Sequence, residues 1–292
     1  MTSLVGRRRI ACVQPGRTEP ATRAMFDKYS SDEGFALLVA AQLGVIFWAM
    51  WYYPLAVTGR RVRHQGRRWP LAVAPLACAS LLYGVLRQWS AEDVRTDAAY
   101  MVFYMVIGAA WMGVFQTQLP LFGLGARDDA LERGNEAAGW VCVAALLGGT
   151  CCFAGANVGN GPGWWVVLFS AWLSTASLFF LWWLIHVGCG LAEKVTVERD
   201  LAAGLRAAGF FVGCGLILGR AVAGDWVSAA ATTADFLRMA WPALVLAGAV
   251  VAVERSCSPV ITQGGVALFY RGYLPAFVYV ASGVGWLLAR SS

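Results

Sequence analysis

Eight apolar stretches divide the chain, each long enough to cross a bilayer, and no other feature narrows its fold so far. They cover residues 35–57, 69–86, 98–123, 137–156, 164–184 with a continuation to 191, 201–219, 230–253 and 265–288. A hydrocarbon core about 30 Å thick is crossed by about 20 helical residues, and a helix satisfies its backbone polar groups within itself. The first five stretches hold no Asp, Glu, Lys or Arg in their cores. With 59% apolar and only 14% charged residues, the chain carries more hydrophobic surface than water-soluble cores would bury. The expected fold class is all-α: a polytopic membrane bundle of eight transmembrane helices joined by short connections.

The net charge is +6, and the basic residues other than Lys28 and Lys194 are arginines. They cluster at the edges of the apolar stretches. That placement speaks for membrane topology and anionic headgroups rather than nucleic acid. The eight cysteines form no Cys-x-x-Cys pair, and the neighbours Cys151 and Cys152 read as small helix-filling residues. The two histidines, His64 and His186, are too few for an ordinary zinc site, and no Gly-x-Ser-x-Gly, Walker or dinucleotide signature occurs. The Gly-rich 157–163 segment joins two apolar stretches and reads as a tight turn. No enzyme, catalytic residue, metal or cofactor is expected.

The odd-numbered stretches begin near 35, 98, 164 and 230, a period of about 65 residues. Sliding the chain by that period sets Ala137, Ala138 and Gly139 on Ala202, Ala203 and Gly204. Without a gap, Gly148 then falls on Gly213, Ala156 on Ala221 and Gly159 on Gly224. The unit is a pair of helices, so successive copies keep the same orientation in the membrane. The reading is therefore four parallel hairpins, 35–97, 98–163, 164–227 and 228–292, after a polar tail, 1–34. Met25 is the expected working start, since 25–34 makes a conventional short tail before the first stretch.

The loop Glu132-Arg133-Gly134-Asn135-Glu136-Ala137-Ala138 ends in Gly-Asn before a small-residue helix. Its counterpart is Glu198-Arg199-Asp200-Leu201-Ala202-Ala203, with Asp200 in the place of Asn135. On these residues the segment from about 98 to 226 resembles the uncharacterised bacterial inner-membrane family typified by YjfL. The resemblance implies a tandem of two-helix units in a bacterial cytoplasmic membrane and brings no catalytic residues with it. The flanking hairpins depart from the two-unit form.

One side of the expected bundle carries Arg60, Arg61, Arg63, Arg67, Arg68, Arg127, Arg133, Lys194, Arg199 and Arg255. The other carries Arg87, Arg95, Arg220 and Arg290, with Arg23 and Lys28 of the proximal tail. The positive-inside rule puts the first set in the cytoplasm and both termini outside. Arg7, Arg8, Arg9 and Arg17 would remove the difference, so this orientation leans on Met25. The loop from Arg60 to Arg68 is a candidate site for anionic headgroups.

Ionisable groups inside spans are costly and mark functional candidates. Arg206 and Arg271 each lie about one and a half turns inside the expected cytoplasmic edge. They either snorkel to it or line an inward vestibule for an anion. Asp235 and Arg238, three apart on one helix face, read as a self-paired couple. Gln116 and Gln118 flank Thr117 in a polar knot, Ser170, Ser174 and Ser177 form a hydroxyl stripe, and His186 is the one intramembrane histidine. Gly209-x-x-x-Gly213 and Gly215-x-x-x-Gly219 let helices approach closely. They serve internal packing or a contact between two copies of the chain. Pro120 and Pro242 are expected to kink or end their helices.

Two functional classes follow. One is passage of a small solute or ion through a pseudo-symmetric bundle. The other is a non-catalytic structural or stress-associated membrane protein that holds partners or lipids through basic loops.

Overall fold

The computed structural model describes residues 29–61, 68–257 and 265–290. Met25, most of the expected tail, and Arg63 and Arg67 of the basic loop lie outside the described residues. The fold within them is helical, with ten helices in chain order: α1 Ser31–Arg61, α2 Trp69–Trp89, α3 Glu92–Thr96, α4 Ala98–Gln118, α5 Glu136–Ala156, α6 Trp164–Cys189, α7 Leu191–Thr196, α8 Leu201–Val222, α9 Ala229–Ser256 and α10 Gly265–Ala289. Eight are long and apolar enough to cross a membrane, and α3 and α7 are the short exceptions. The protein is a multi-pass helical membrane protein, as the apolar stretches lead one to expect.

Helix ends follow local chemistry. The first helix starts at Ser31, four residues before the apolar stretch. Glu33 accepts from the Ser30 backbone N–H at 2.9 Å while the Ser30 hydroxyl accepts from the Glu33 N–H at 3.4 Å, a reciprocal capping box. Pro120 ends α4 as expected: the chain tightens into a 3₁₀ turn over Leu119–Phe122 and closes on Gly123 at φ 78°. Pro242 does not end its helix, because α9 runs unbroken from Ala229 to Ser256. The last span is interrupted by a π turn over Phe269–Tyr273.

Two rows of spans emerge from the packing. Helices α2, α5, α8 and α10 lie side by side in that order, and α1, α4, α6 and α9 flank them. At the centre α5 and α8 meet almost backbone to backbone. A Cβ added at Gly215 would stand 2.5 Å from the Gly148 Cα, and one at Gly155 2.5 Å from the Gly219 carbonyl carbon. On the other face of α8, a Cβ at Gly209 would come within 2.6 Å of Ala276. With no hydrophobic drive between helices in lipid, such close approach supplies the attraction. All four glycines of the two sequence motifs are thus spent on packing inside the chain.

The two loops on one membrane face have the same internal bonds. The Asn135 N–H donates to the Asp129 carbonyl and the Asp200 N–H to the Lys194 carbonyl; Arg133 donates to Asp128 as Glu198 does to Glu193. Both loops then turn left-handed, at Gly134 with φ 63° and at Arg199 with φ 57°. Each next residue caps a helix. The Asn135 side chain accepts from the Ala138 N–H, and that of Asp200 from the Ala202 and Ala203 N–H groups. On the opposite face the loops touch directly. Asn160 donates through its backbone and side-chain nitrogens to Asp225, 65 positions on, and the Trp226 N–H donates to the Asn160 carbonyl.

Candidate functional site

A buried ionic cluster stands where α8, α9 and α10 meet the loop after α6. The small residues of α8 bring it close enough to α10 that the Arg206 side chain, 3% exposed, has no path to water along its own helix. Its guanidinium instead grips Glu254. Nε donates to Oε1, and Nη2 donates to Oε2 at 2.9 Å. The third nitrogen, Nη1, donates to the Arg271 backbone carbonyl within the π turn. Lys194 of α7 completes the cluster, donating from Nζ to Glu254 Oε2 at 3.1 Å and to the Glu254 carbonyl at 3.0 Å. The Glu254 side chain is fully buried between the two cations.

This is a bidentate guanidinium–carboxylate pair with a second cation behind it, the geometry that makes burial of charge tolerable. Two cations share one carboxylate, so the trio keeps one net positive charge, and only Lys194 reaches partway to the surface at 18% exposure. Each nitrogen of the Arg206 guanidinium is directed at a protein acceptor. The arrangement ties the loop after α6 to α8, α9 and α10. Tyr279 on α10, buried within electrostatic reach of Arg206 and Glu254, leaves its hydroxyl without a hydrogen-bond partner among the described residues.

The other sequence candidates scatter. Arg271 offers only its carbonyl to Arg206, and its own side chain is exposed. Gln116 donates to the Phe47 carbonyl at 3.2 Å and so ties α4 to α1, whereas Gln118 donates to Thr117 and faces outward between α4 and α6. Asp235 and Arg238 pair at 3.5 Å on the exposed side of α9. His186 is half-buried, and its Nδ1 lacks a partner among the described residues. The hydroxyls of Ser174 and Ser177 bond carbonyls of their own helix, one turn back. Arg206, Arg271 and Gln116 therefore do not converge on one cavity.

Glu254 and Lys194 escape a reading by apolar run. The seventh apolar stretch ends at Val253, so Glu254 falls just beyond it and is overshadowed by Arg255. Arg255 itself points elsewhere and donates to the Gly188 carbonyl at 2.8 Å. A carboxylate on the first turn past an apolar run, with an arginine one and a half turns inside another, was the signal available.

No curated protein and no solved structure matches this chain. Residues 93–222, the stretch from α3 to the end of α8, match the family described as Domain of Unknown Function (DUF350), and the chain is similar to that uncharacterised family over this central part.

Proposed function

We propose that the protein is a non-catalytic structural component of the bacterial cytoplasmic membrane, a rigid body of four parallel hairpins that presents basic loops to the cytoplasm. The α5–α8 seam carries this reading. Glycines 148, 155, 215 and 219 bring the two central helices into backbone contact, and the cores around them are filled by Phe153, Phe210, Phe211 and Trp182. The intramembrane charges that would serve a solute path are engaged with one another in the Arg206–Glu254–Lys194 cluster. Recurrence of loop bonds and caps 65 residues apart supports duplication of the central hairpins. The positive-inside count supports termini outside the cytoplasm, with the loop after α1 meeting anionic headgroups.

Proteoliposome flux tests the reading. Purified protein at one copy or more per vesicle should leave permeation of protons, potassium, chloride and small neutral solutes at the rate of empty vesicles. A protein-dependent flux of any of them, lost in Glu254→Gln, would replace this reading with passage through the bundle.

A further inference from the structure

Along the outer row, α1 packs on α4 and α6 packs on α9, while α4 and α6 meet through long side chains, the Phe115–Phe179 stack and the Trp111–Thr175 bond. Over these contacts lies an open groove of about 650 Å³. Its floor is a stack of three rings, Phe115, Phe179 and Phe122, with centroids 4.7 and 4.6 Å apart. Trp111, Trp172 and Trp183 form its walls. One end is closed where buried Trp182 donates to the Phe122 carbonyl at 3.0 Å. Near that end is the amide of Gln118, and Thr175, which accepts from Trp111, is the other polar group on the lining.

The groove opens sideways, with Trp172, Phe180 and Trp183 exposed along it, so in a bilayer it is filled by whatever lies against this face. Its occupant is constrained by size. A spanning helix of 20 residues, 30 Å long and 10 Å wide, displaces about 2,400 Å³, several times the space present. A partner helix would therefore rest on the rim and reach the floor only through single side chains. A flexible hydrocarbon chain reaches the floor, and hydrocarbon is what surrounds this face in a bilayer. We propose that the groove between α4 and α6 is a lateral binding site for one acyl chain of a membrane phospholipid, oriented with its glycerol ester near Gln118. Gln118 uses one amide proton on Thr117 and has a second for an ester carbonyl. The inference rests on the membrane-embedded reading and is independent of whether the bundle conducts.

The experiment reconstitutes the full chain in vesicles of phosphatidylethanolamine and phosphatidylglycerol doped with a phospholipid bearing a diazirine at mid-chain. After photolysis, labelled peptides are mapped by mass spectrometry. Label should concentrate at least fivefold on α4 and α6 over the lipid-facing sides of α1 and α9. Ala176 lies on the groove lining and Leu244 on the open face of α9. Ala176→Trp should abolish that excess, while Leu244→Trp leaves it unchanged. Even labelling of the wild-type protein overturns the proposal and needs no variant. So does an excess that persists in a folded Ala176→Trp, or groove labelling replaced by crosslinks between two copies of the chain.

Discussion

Glu254 is held by two cations in a fully buried position, and the consequence of losing it is asymmetric. Glu254→Gln leaves Arg206 and Lys194 without their counter-charge inside the protein. Breaking a buried pair from one side costs about 3–5 kcal/mol. The expected outcome is a fall of that size in unfolding free energy, read by denaturant titration in detergent micelles. Removing the pair together is different: the double variant Arg206→Met, Glu254→Leu should recover most of the loss, because the one cation then unmatched, Lys194, is the member that reaches partway to the surface. Equal destabilisation by single and double variants would show that the cluster does not act as an ion pair. A second residue stands out for its backbone. Arg199 is left-handed at φ 57°, where a side chain costs about 1–2 kcal/mol, and Gly134 occupies the corresponding turn. Arg199→Gly should stabilise the protein by about 0.5–1 kcal/mol in the same titration, and Gly134→Ala should destabilise it by a similar amount.

Helix packing separates glycines that look alike in the sequence. Gly215 abuts Gly148 across the α5–α8 seam, while Gly248 and Gly285 have open space where a Cβ would stand. Gly215→Leu should therefore prevent the central helices from closing, seen as loss of the monodisperse peak in size-exclusion chromatography. Gly248→Leu should elute as wild type. The caps give a graded comparison. Asn135→Ala loses the α5 cap and a donor that reaches the buried Val195 carbonyl at 2.7 Å, whereas Asp200→Ala loses the α8 cap and no such long-range hydrogen bond. The first should cost about 2 kcal/mol and the second about 1 kcal/mol, measured as shifts in unfolding free energy. This is the scale on which the sequence is most legible. Apolar length marks the eight spans, and an offset of 65 residues sets Asn135 on Asp200. The start of α1 escapes a reading by apolar length because its signal, Ser30 with Glu33, is polar and lies outside the apolar run. Pro242 leaves α9 unbroken; proline is tolerated in membrane helices where neighbouring helices, side chains or local 3₁₀ and π adjustments re-satisfy the freed backbone groups, which no local rule contains.

Across the whole molecule, partners in space are what the sequence conceals. Arg206 and Arg271 were both visible as intramembrane cations, yet one is clamped by Glu254 and the other lends only its carbonyl, since burial depends on how α8 and α10 are rotated against each other. The α4–α6 groove is equally invisible, because a gap between helices leaves no mark in either helix. The arrangement of the rows does allow one global prediction. Residues 1–163 and 164–292 each contain an even number of spans, so each half would insert with its own ends on the same side of the membrane. The surfaces they hide from each other include the α5–α8 seam, the Asn135–Val195 bond and the Asn160–Asp225 contact, a set distributed from one membrane face to the other. Close packing of small residues and buried hydrogen bonds are the interactions that associate helices in lipid. Co-expressed as separate chains, the halves should recombine, and an affinity tag on the first should recover the second from detergent extract in equal amount. Gly215→Leu in the second half should abolish that recovery while Gly248→Leu preserves it. Halves that insert and accumulate but never co-purify would mean that the central seam is held by the covalent loop rather than by its own contacts.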